Sequence, residues 1–431
     1  MNFKLTLPSI KRDISSAFIS SSLILYPATV LLVPKMNGMI YGLFVLVGLA
    51  YIIRFRGTCF FKVTRDEKLF YLSIVTFFFT VLFITVNAGF VYKHIGKYLH
   101  LLLAIPIYIY LRHSGIRLAY LWYGLVVGGV AAAGVALYDV IIKGASRAQG
   151  LTHPIVFGDL ALVMGFMSLA GLGWFKQRSS WQVVFPLVAI LCGVLSSVLS
   201  QARGGWVAIP FLIITLFWYI KPIFSFKLRA LIAVFIVILF GFIYAVPQTK
   251  VSYQVDRTIK SLQQYSESEI ESSKRATSVG TRLEMWQASW LMFLENPVLG
   301  VGWGHYLDHA KDQVDRGLRN ESAASFDHPH NQFFTALASG GVLGFSVTVM
   351  LFFVPVWLFV QYIKQNKTDD IGRLALAGLV LVVAYMAFGL SEPLLDRSRT
   401  VNFFAFYLVI IMAAVHGEFK RIDSDEHANS F

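Results

Sequence analysis

An all-α polytopic membrane protein, with about 12 transmembrane helices and one large outer loop containing short helices, is the fold class this sequence predicts. Three observations carry that expectation. Of the 431 residues, 56% are hydrophobic and only 14% charged, a balance that a soluble domain of this size does not tolerate. Apolar runs of about 20 residues recur along the chain, each long enough to cross a hydrocarbon core of about 30 Å. One long polar segment, 247–341, interrupts them late in the chain.

Spans are expected at 16–34, 38–53, 69–87, 92–111, 118–139, 155–175, 182–200, 205–220, 228–246, 342–363, 374–391 and 400–417. The first has no small-residue cleavage site and reads as a membrane helix rather than a removable signal peptide. The fourth is the least apolar, because Lys93, His94, Lys97 and His100 make its first half amphipathic. Lys and Arg set the orientation. Twenty of the 37 fall in one set of loops and tails, eight in the short loops opposite and nine in 247–341. Both termini are therefore expected in the cytoplasm and the long loop on the other side. The net charge of +13 is thus a topology signal, which removes the reason to invoke nucleic acid. Cys59, in a basic loop, and Cys192, in a span, imply no disulfide framework. The expected organisation is a transmembrane bundle over 1–246, a loop domain over 247–341, and three spans with a cytoplasmic tail over 342–431.

Inside the loop, a helix is expected over Val251–Tyr265, then a Ser- and Glu-rich tract to Ser278. A clearer helix follows over Arg282–Leu294, with Thr281 and Glu284 as a capping box and Asn296-Pro297 as its stop. Gly300, Gly302 and Gly304 make a turn-rich link towards His305, and 306–326 carries no expected element. The chain is organised around Asp327-His328-Pro329-His330-Asn331-Gln332, where the polar loop meets an apolar run. Pro329 suits a first helical turn capped by Asp327 or His328. His330 would lie in that turn, where the helix dipole keeps the imidazole neutral, as a general base requires.

Four features at the outer surface could carry chemistry. Arg203, in Ser200-Gln-Ala-Arg-Gly-Gly-Trp206, sits so close to hydrocarbon that it marks either a polar cavity for an anion or a snorkelling interfacial side chain. Arg282 opposes the dipole of its helix, which fits an anion bound at that end, or a solvated loop arginine. His328 and His330, with His305 and His309 upstream, match no strong zinc spacing, so no metal is expected. A base, a donor to sugar or phosphate, or a structural histidine pair remain open for them. Arg147, Gln149, Gly150, His153 and Pro154 form a basic loop entering a helix, which suits phosphate or serves as an ordinary loop. Glu392, Asp396, Arg397 and Arg399 are expected to pair with one another at the rim. There is no Walker loop, dinucleotide fingerprint, nucleophile elbow or paired-cysteine motif, so a reaction driven by ATP or a cofactor is unsupported. Arginines and a histidine gathered at one surface suit a lipid-linked donor activated by pyrophosphate.

The sequence resembles the O-antigen ligase family, within a group that includes O-antigen polymerases and protein O-oligosaccharyltransferases. The resemblance rests on the Ser200–Trp206 run, Gly280-Thr-Arg-Leu-Glu-Met-Trp286, Asn296-Pro-Val-Leu-Gly-Val-Gly-Trp-Gly304, and His328-Pro-His-Asn331 leading to Gly340-Gly341-x-x-Gly344. It implies a glycosyltransferase independent of metal, ATP and cofactor. Glycan would move from undecaprenyl pyrophosphate to lipid A–core oligosaccharide at the periplasmic face of the bacterial inner membrane. The large loop would then be periplasmic, the spans surrounded by membrane lipids. The resemblance places the base at His330 and the donor pyrophosphate on Arg203 and Arg282. His328, Asn331, Arg147 and His153 are candidate supporting residues. The exact run His-Pro-His-Asn favours a ligase over the alternative, a polymerase whose acceptor is a second lipid-linked glycan. From a different class, a transporter of anionic solutes would place polar residues near the midplane of several spans, whereas here they collect at one face.

Overall fold

A backbone that crosses hydrocarbon must satisfy its own N–H and C=O groups, which makes apolar runs helical. The computed structural model describes residues 9–55, 63–89, 92–220, 251–270, 273–366 and 369–428, with isolated positions between 225 and 241. Among the described residues every regular element is helical. The first ten are α1 (Ser9–Thr29), α2 (Met36–Arg54), α3 (Arg65–Asn87), α4 (Tyr92–Ser114), α5 (Leu118–Leu137), α6 (Pro154–Ala170), α7 (Leu172–Arg178), α8 (Val184–Ser200), α9 (Arg203–Trp206) and α10 (Ala208–Ile220). After them come α11 (Val251–Glu267), α12 (Ser278–Glu295), α13 (Tyr306–Asp315), α14 (Gln332–Gln365), α15 (Asp370–Phe388) and α16 (Ser398–Ala428).

Among the described residues, eight helices are long and apolar enough to span a membrane, or nine if α6 and α7, bent by 48°, count as one. Helices α1 and α4 pack in the same bundle, against α5 and α16, but are less apolar. The span expected at 228–246 and Cys59 lie outside the described residues, a few isolated positions apart. Among the described residues, length and apolarity therefore support eight or nine of the twelve expected spans. The apolar windows of α15 and α16 are 89% and 94% buried, against 22% for the α9–α10 span, so the last two helices form the centre. Away from the candidate site, Glu67 and Arg112 form a buried ion pair at 2.7 Å. Tyr108 extends it to His416, and Tyr362 carries it on to Asp66, joining α3, α4, α14 and α16.

The loop segment has a second, smaller core. Met285, Ala288 and Met292 of α12 meet Val301, Tyr306, Ala310, Ala323 and Ala338. Helix α13 forms where none was expected, because Tyr306 and Ala310, one turn apart, face this core. Helix α12 starts four residues earlier than the sequence suggests. Thr277 caps it by accepting from the Gly280 N–H at 3.1 Å, and the expected Thr281–Glu284 box does not form. Glu284 is instead fully buried, bonded to Tyr265 Oη and Arg275 Nη1 at 2.7 Å each and to the Asn320 N–H at 3.2 Å. These charge-assisted bonds inside the protein outcompete one solvent-facing cap.

Helix α14 starts ten residues before the expected span and is broken at Gly341 (φ 57°, ψ −154°). The break is stitched by the Asn296–Gly304 motif. The Val301 and Gly302 N–H groups donate to Ala338 and Ser339 carbonyls, and the Val342 N–H donates to Pro297 O at 2.8 Å. Gly300 has φ 63°, and a Cβ there would lie 2.5 Å from Ala338 O. Substituting Gly300→Ala is therefore expected to cost about 1–3 kcal/mol in backbone strain and displacement of α14. A thermal unfolding midpoint in detergent lowered by several degrees is the expected readout; an unchanged midpoint would refute the stitching role.

Candidate active site

The Asp327–Gln332 stretch does not begin a helix at Pro329. Asn331 is the N-cap of α14, its Oδ1 accepting from the Phe333 and Phe334 N–H groups at 2.9 and 3.1 Å. Asn331, two residues past the proline, makes both capping bonds, and the helix begins directly after it. His330 accordingly precedes the helix instead of lying in its first turn, and has the left-handed φ of 50° that non-glycine residues rarely adopt. Its neighbours hold it there. The Asn331 Nδ2 donates to Leu390 O at 3.1 Å, the Gln332 N–H to Gly389 O at 2.7 Å, and the Leu395 N–H to Gln332 Oε1 at 2.9 Å. On the other side the Trp286 indole donates to Pro329 O at 3.0 Å and stacks on Phe334. Strain held by this many bonds marks a functional position.

The conformation aims His330 Nδ1 at Glu392 Oε2, 2.7 Å away. Glu392 is fully buried in the connection between α15 and α16, and Arg397 bonds its Oε1 through Nε at 2.9 Å and Nη2 at 2.5 Å. Burial pushes the Glu392 carboxyl up, but the His330 hydrogen bond and the Arg397 charge outweigh it and bring it down to about 2. An ionised carboxylate only accepts, so Nδ1 carries the proton, and in the neutral imidazole the lone pair is left on His330 Nε2. His328 Nδ1 accepts from the His330 N–H at 3.2 Å, which leaves His328 Nε2 as a donor. Burial pushes the His328 imidazole below its usual value and favours its neutral form.

Glu392 is the residue that sequence reasoning missed. The rim charges were expected to pair together, and Arg397 with Glu392 does so. Asp396, however, binds Lys97 at 2.9 Å, and Arg399 donates to Leu151 O. The available signal was a carboxylate directly after an apolar span. His328, His330 and Glu392 also bring three possible ligand atoms within 4.8 Å of one another. Both Glu392 oxygens are engaged here, Oε2 by His330 and Oε1 by Arg397, which makes the cluster a hydrogen-bonded dyad.

A cavity of about 370 Å³ is lined by Arg147, Arg203, Arg257 and Arg282, with no Asp or Glu in its lining. Arg203 is the first residue of α9, directly after the Gln201–Ala202 turn from α8. That turn is fixed by the neighbouring loop, where Arg147 Nε donates to Ser200 O at 2.9 Å and the Ala148 N–H to Leu199 O at 2.9 Å. Gly204 makes room for Ser391, since a Cβ would lie 2.5 Å from its hydroxyl. Arg282 lies one turn inside α12 rather than at its end, while Ser278 and Val279 at that end also line the cavity. Burial lowers the Arg282 guanidinium from its usual value, and the Glu392 charge works against that shift. Trp286 follows Arg282 by four residues on the same face of α12, so one helix face links the cavity to the His330 loop. The exposed His153 caps α6, its ring accepting from the Ile155 N–H at 3.4 Å. Of the residues singled out in the sequence, Arg147, Arg203 and Arg282 share the cavity, whereas His328, His330 and Asn331 share the adjoining loop.

A family model described as O-antigen ligase matches residues 187–349. Over 393 residues, 90% of this chain and 96% of the relative, the chain is 25% identical to a Haemophilus influenzae protein described as uncharacterized. The matched segment contains Arg203, Arg257, Arg282 and His330, and Glu392 lies beyond it. Residues 187–349 are thus similar to the O-antigen ligase domain, found in a group of glycosyltransferase-like membrane enzymes that spans ligases and polymerases.

Proposed function

We propose that this protein transfers a glycan from undecaprenyl pyrophosphate to lipid A–core oligosaccharide at the periplasmic face of the inner membrane, without ATP, metal or cofactor. The observation that carries the reading is the arginine cavity beside a histidine whose Nε2 is free to accept a proton. In this account Arg203 and Arg282 hold the donor diphosphate, and their planar forks match its oxygens bidentately. His330 Nε2 takes the proton from the acceptor hydroxyl as that oxygen attacks the anomeric carbon. The bond from the anomeric carbon to the diphosphate oxygen breaks, and its electron pair leaves with the diphosphate, where the arginines stabilise the new charge. Glu392 holds the tautomer and stabilises the imidazolium, while His328 Nε2–H is placed to donate to a sugar or phosphate oxygen. The loop segment 247–341 would face the periplasm with both termini cytoplasmic, and its α11–α13 region would select the acceptor.

The test is reconstitution of purified protein in liposomes with undecaprenyl-pyrophosphate glycan, offered lipid A–core and a second lipid-linked glycan in separate reactions. Attachment to core, undiminished by EDTA and without ATP, is the expected result. Glycan lengthening without core attachment would establish a polymerase in its place, and donor binding without any transfer would point to transport.

A further inference from the structure

We propose that Arg257 is a further donor-binding residue, and that the arginine cavity it completes selects a diphosphate over a monophosphate. The proposal rests on the reading of this cavity as the diphosphate site. Arg257 reaches the cavity from α11, a helix of the loop segment that the family resemblance leaves without a role. Thr258 and Ser261 of the same helix also line it, at spacings of one and four residues that put all three on neighbouring faces. Helix α11 is held at its other end. Tyr265 Oη donates to Glu284 at 2.7 Å, and Arg275 lies 4.6 Å above the Tyr265 ring. Arg257 thus stands eight residues, about 12 Å, along the axis from that anchor.

The charge count gives Arg257 a purpose. Arg147 is engaged by the Ser200 and Gln201 carbonyls, and among the described residues Arg203, Arg257 and Arg282 form no ion pair. Like charges gathered in one concavity repel, an arrangement that a multiply charged anion relieves. With Arg147 held by those carbonyls, three forks remain, and at two forks per phosphate all three are used only if two phosphates are present. A monophosphate leaves one of them over. A diphosphate linked to both lipid and sugar gains further negative charge when the sugar departs. Four arginines therefore match the leaving group better than the intact donor, which is the direction catalysis needs.

Calorimetric titration of the full-length protein in detergent, with a polyprenyl diphosphate and the corresponding monophosphate, tests this. Wild type is expected to bind the diphosphate roughly tenfold or more tightly than the monophosphate. Arg257→Ala is expected to lose about tenfold in diphosphate affinity while monophosphate binding changes little. Arg257→Lys, which keeps the charge but not the fork, is expected to recover only part of the loss and stands in if the alanine variant does not elute as a single species. Equal loss for both ligands, or no loss while Arg203→Ala and Arg282→Ala abolish diphosphate binding, overturns the role of Arg257 alone. Failure of wild type to bind the diphosphate overturns the donor-site reading itself.

Discussion

Replacing His330 with alanine is expected to reduce the proposed glycan transfer by about three orders of magnitude, the contribution of a positioned general base, and to leave diphosphate binding nearly intact. The expectation follows from the division of the site. His330 contacts the dyad partner Glu392 and lies outside the lining of the arginine cavity, so its loss removes proton transfer rather than donor contacts. Single-turnover assays with saturating donor, beside calorimetric titration of polyprenyl diphosphate, separate the two. A variant that loses binding and turnover together would make His330 a donor ligand instead of a base.

Substituting Glu392→Gln is expected to lower kcat by about two to three orders of magnitude with little change in the donor KM. Glutamine can still accept from Nδ1–H, but it also allows the opposite tautomer, and it removes the charge that stabilises the imidazolium. Arg397 loses its carboxylate partner in the same variant, so its fold is checked by the unfolding midpoint and by retained diphosphate binding. The pH dependence follows from the direction of the Glu392 shift. Its folded pKa of about 2 lies below the ordinary carboxylate value, so its contribution to stability is fully present above that value and is lost as pH falls towards 2. Across neutral pH the carboxylate stays ionised, and any loss of rate on acidification must come from another group. Unfolding midpoints recorded from pH 7 down to pH 3 should fall less for Glu392→Gln than for wild type; parallel curves would deny the link.

The helical, membrane-spanning class was legible because hydrocarbon imposes it, through apolar runs that leave no alternative to helix. The break at Gly341 was not, since it falls at the expected end of the polar segment and shows only when residues 297–302 pack across it. Arg203 and Arg282 stood out because each sits where a cation is costly, and Arg147 stood out in a basic loop. Arg257 did not, because an arginine on a polar helix face is unremarkable until the fold turns that face into the cavity. The His330 loop shows the same limit more sharply. Pro329 favoured an early helix start, yet Asn331 supplies the cap, and the strained backbone of His330 depends on bonds to residues 389–395, far away in sequence. Glu392 read as one rim charge among four, and only burial against His330 distinguishes it.

Direct displacement by an acceptor activated at His330 makes one further demand, on stereochemistry. The configuration at the newly linked anomeric carbon, determined by NMR on product made from donor of known configuration, is the measurement that bears on this most directly. Inversion is the predicted outcome, since one nucleophile enters opposite the departing diphosphate. Retention would require a second displacement, with an enzyme nucleophile that the His330–Glu392 account does not contain, and would contradict it.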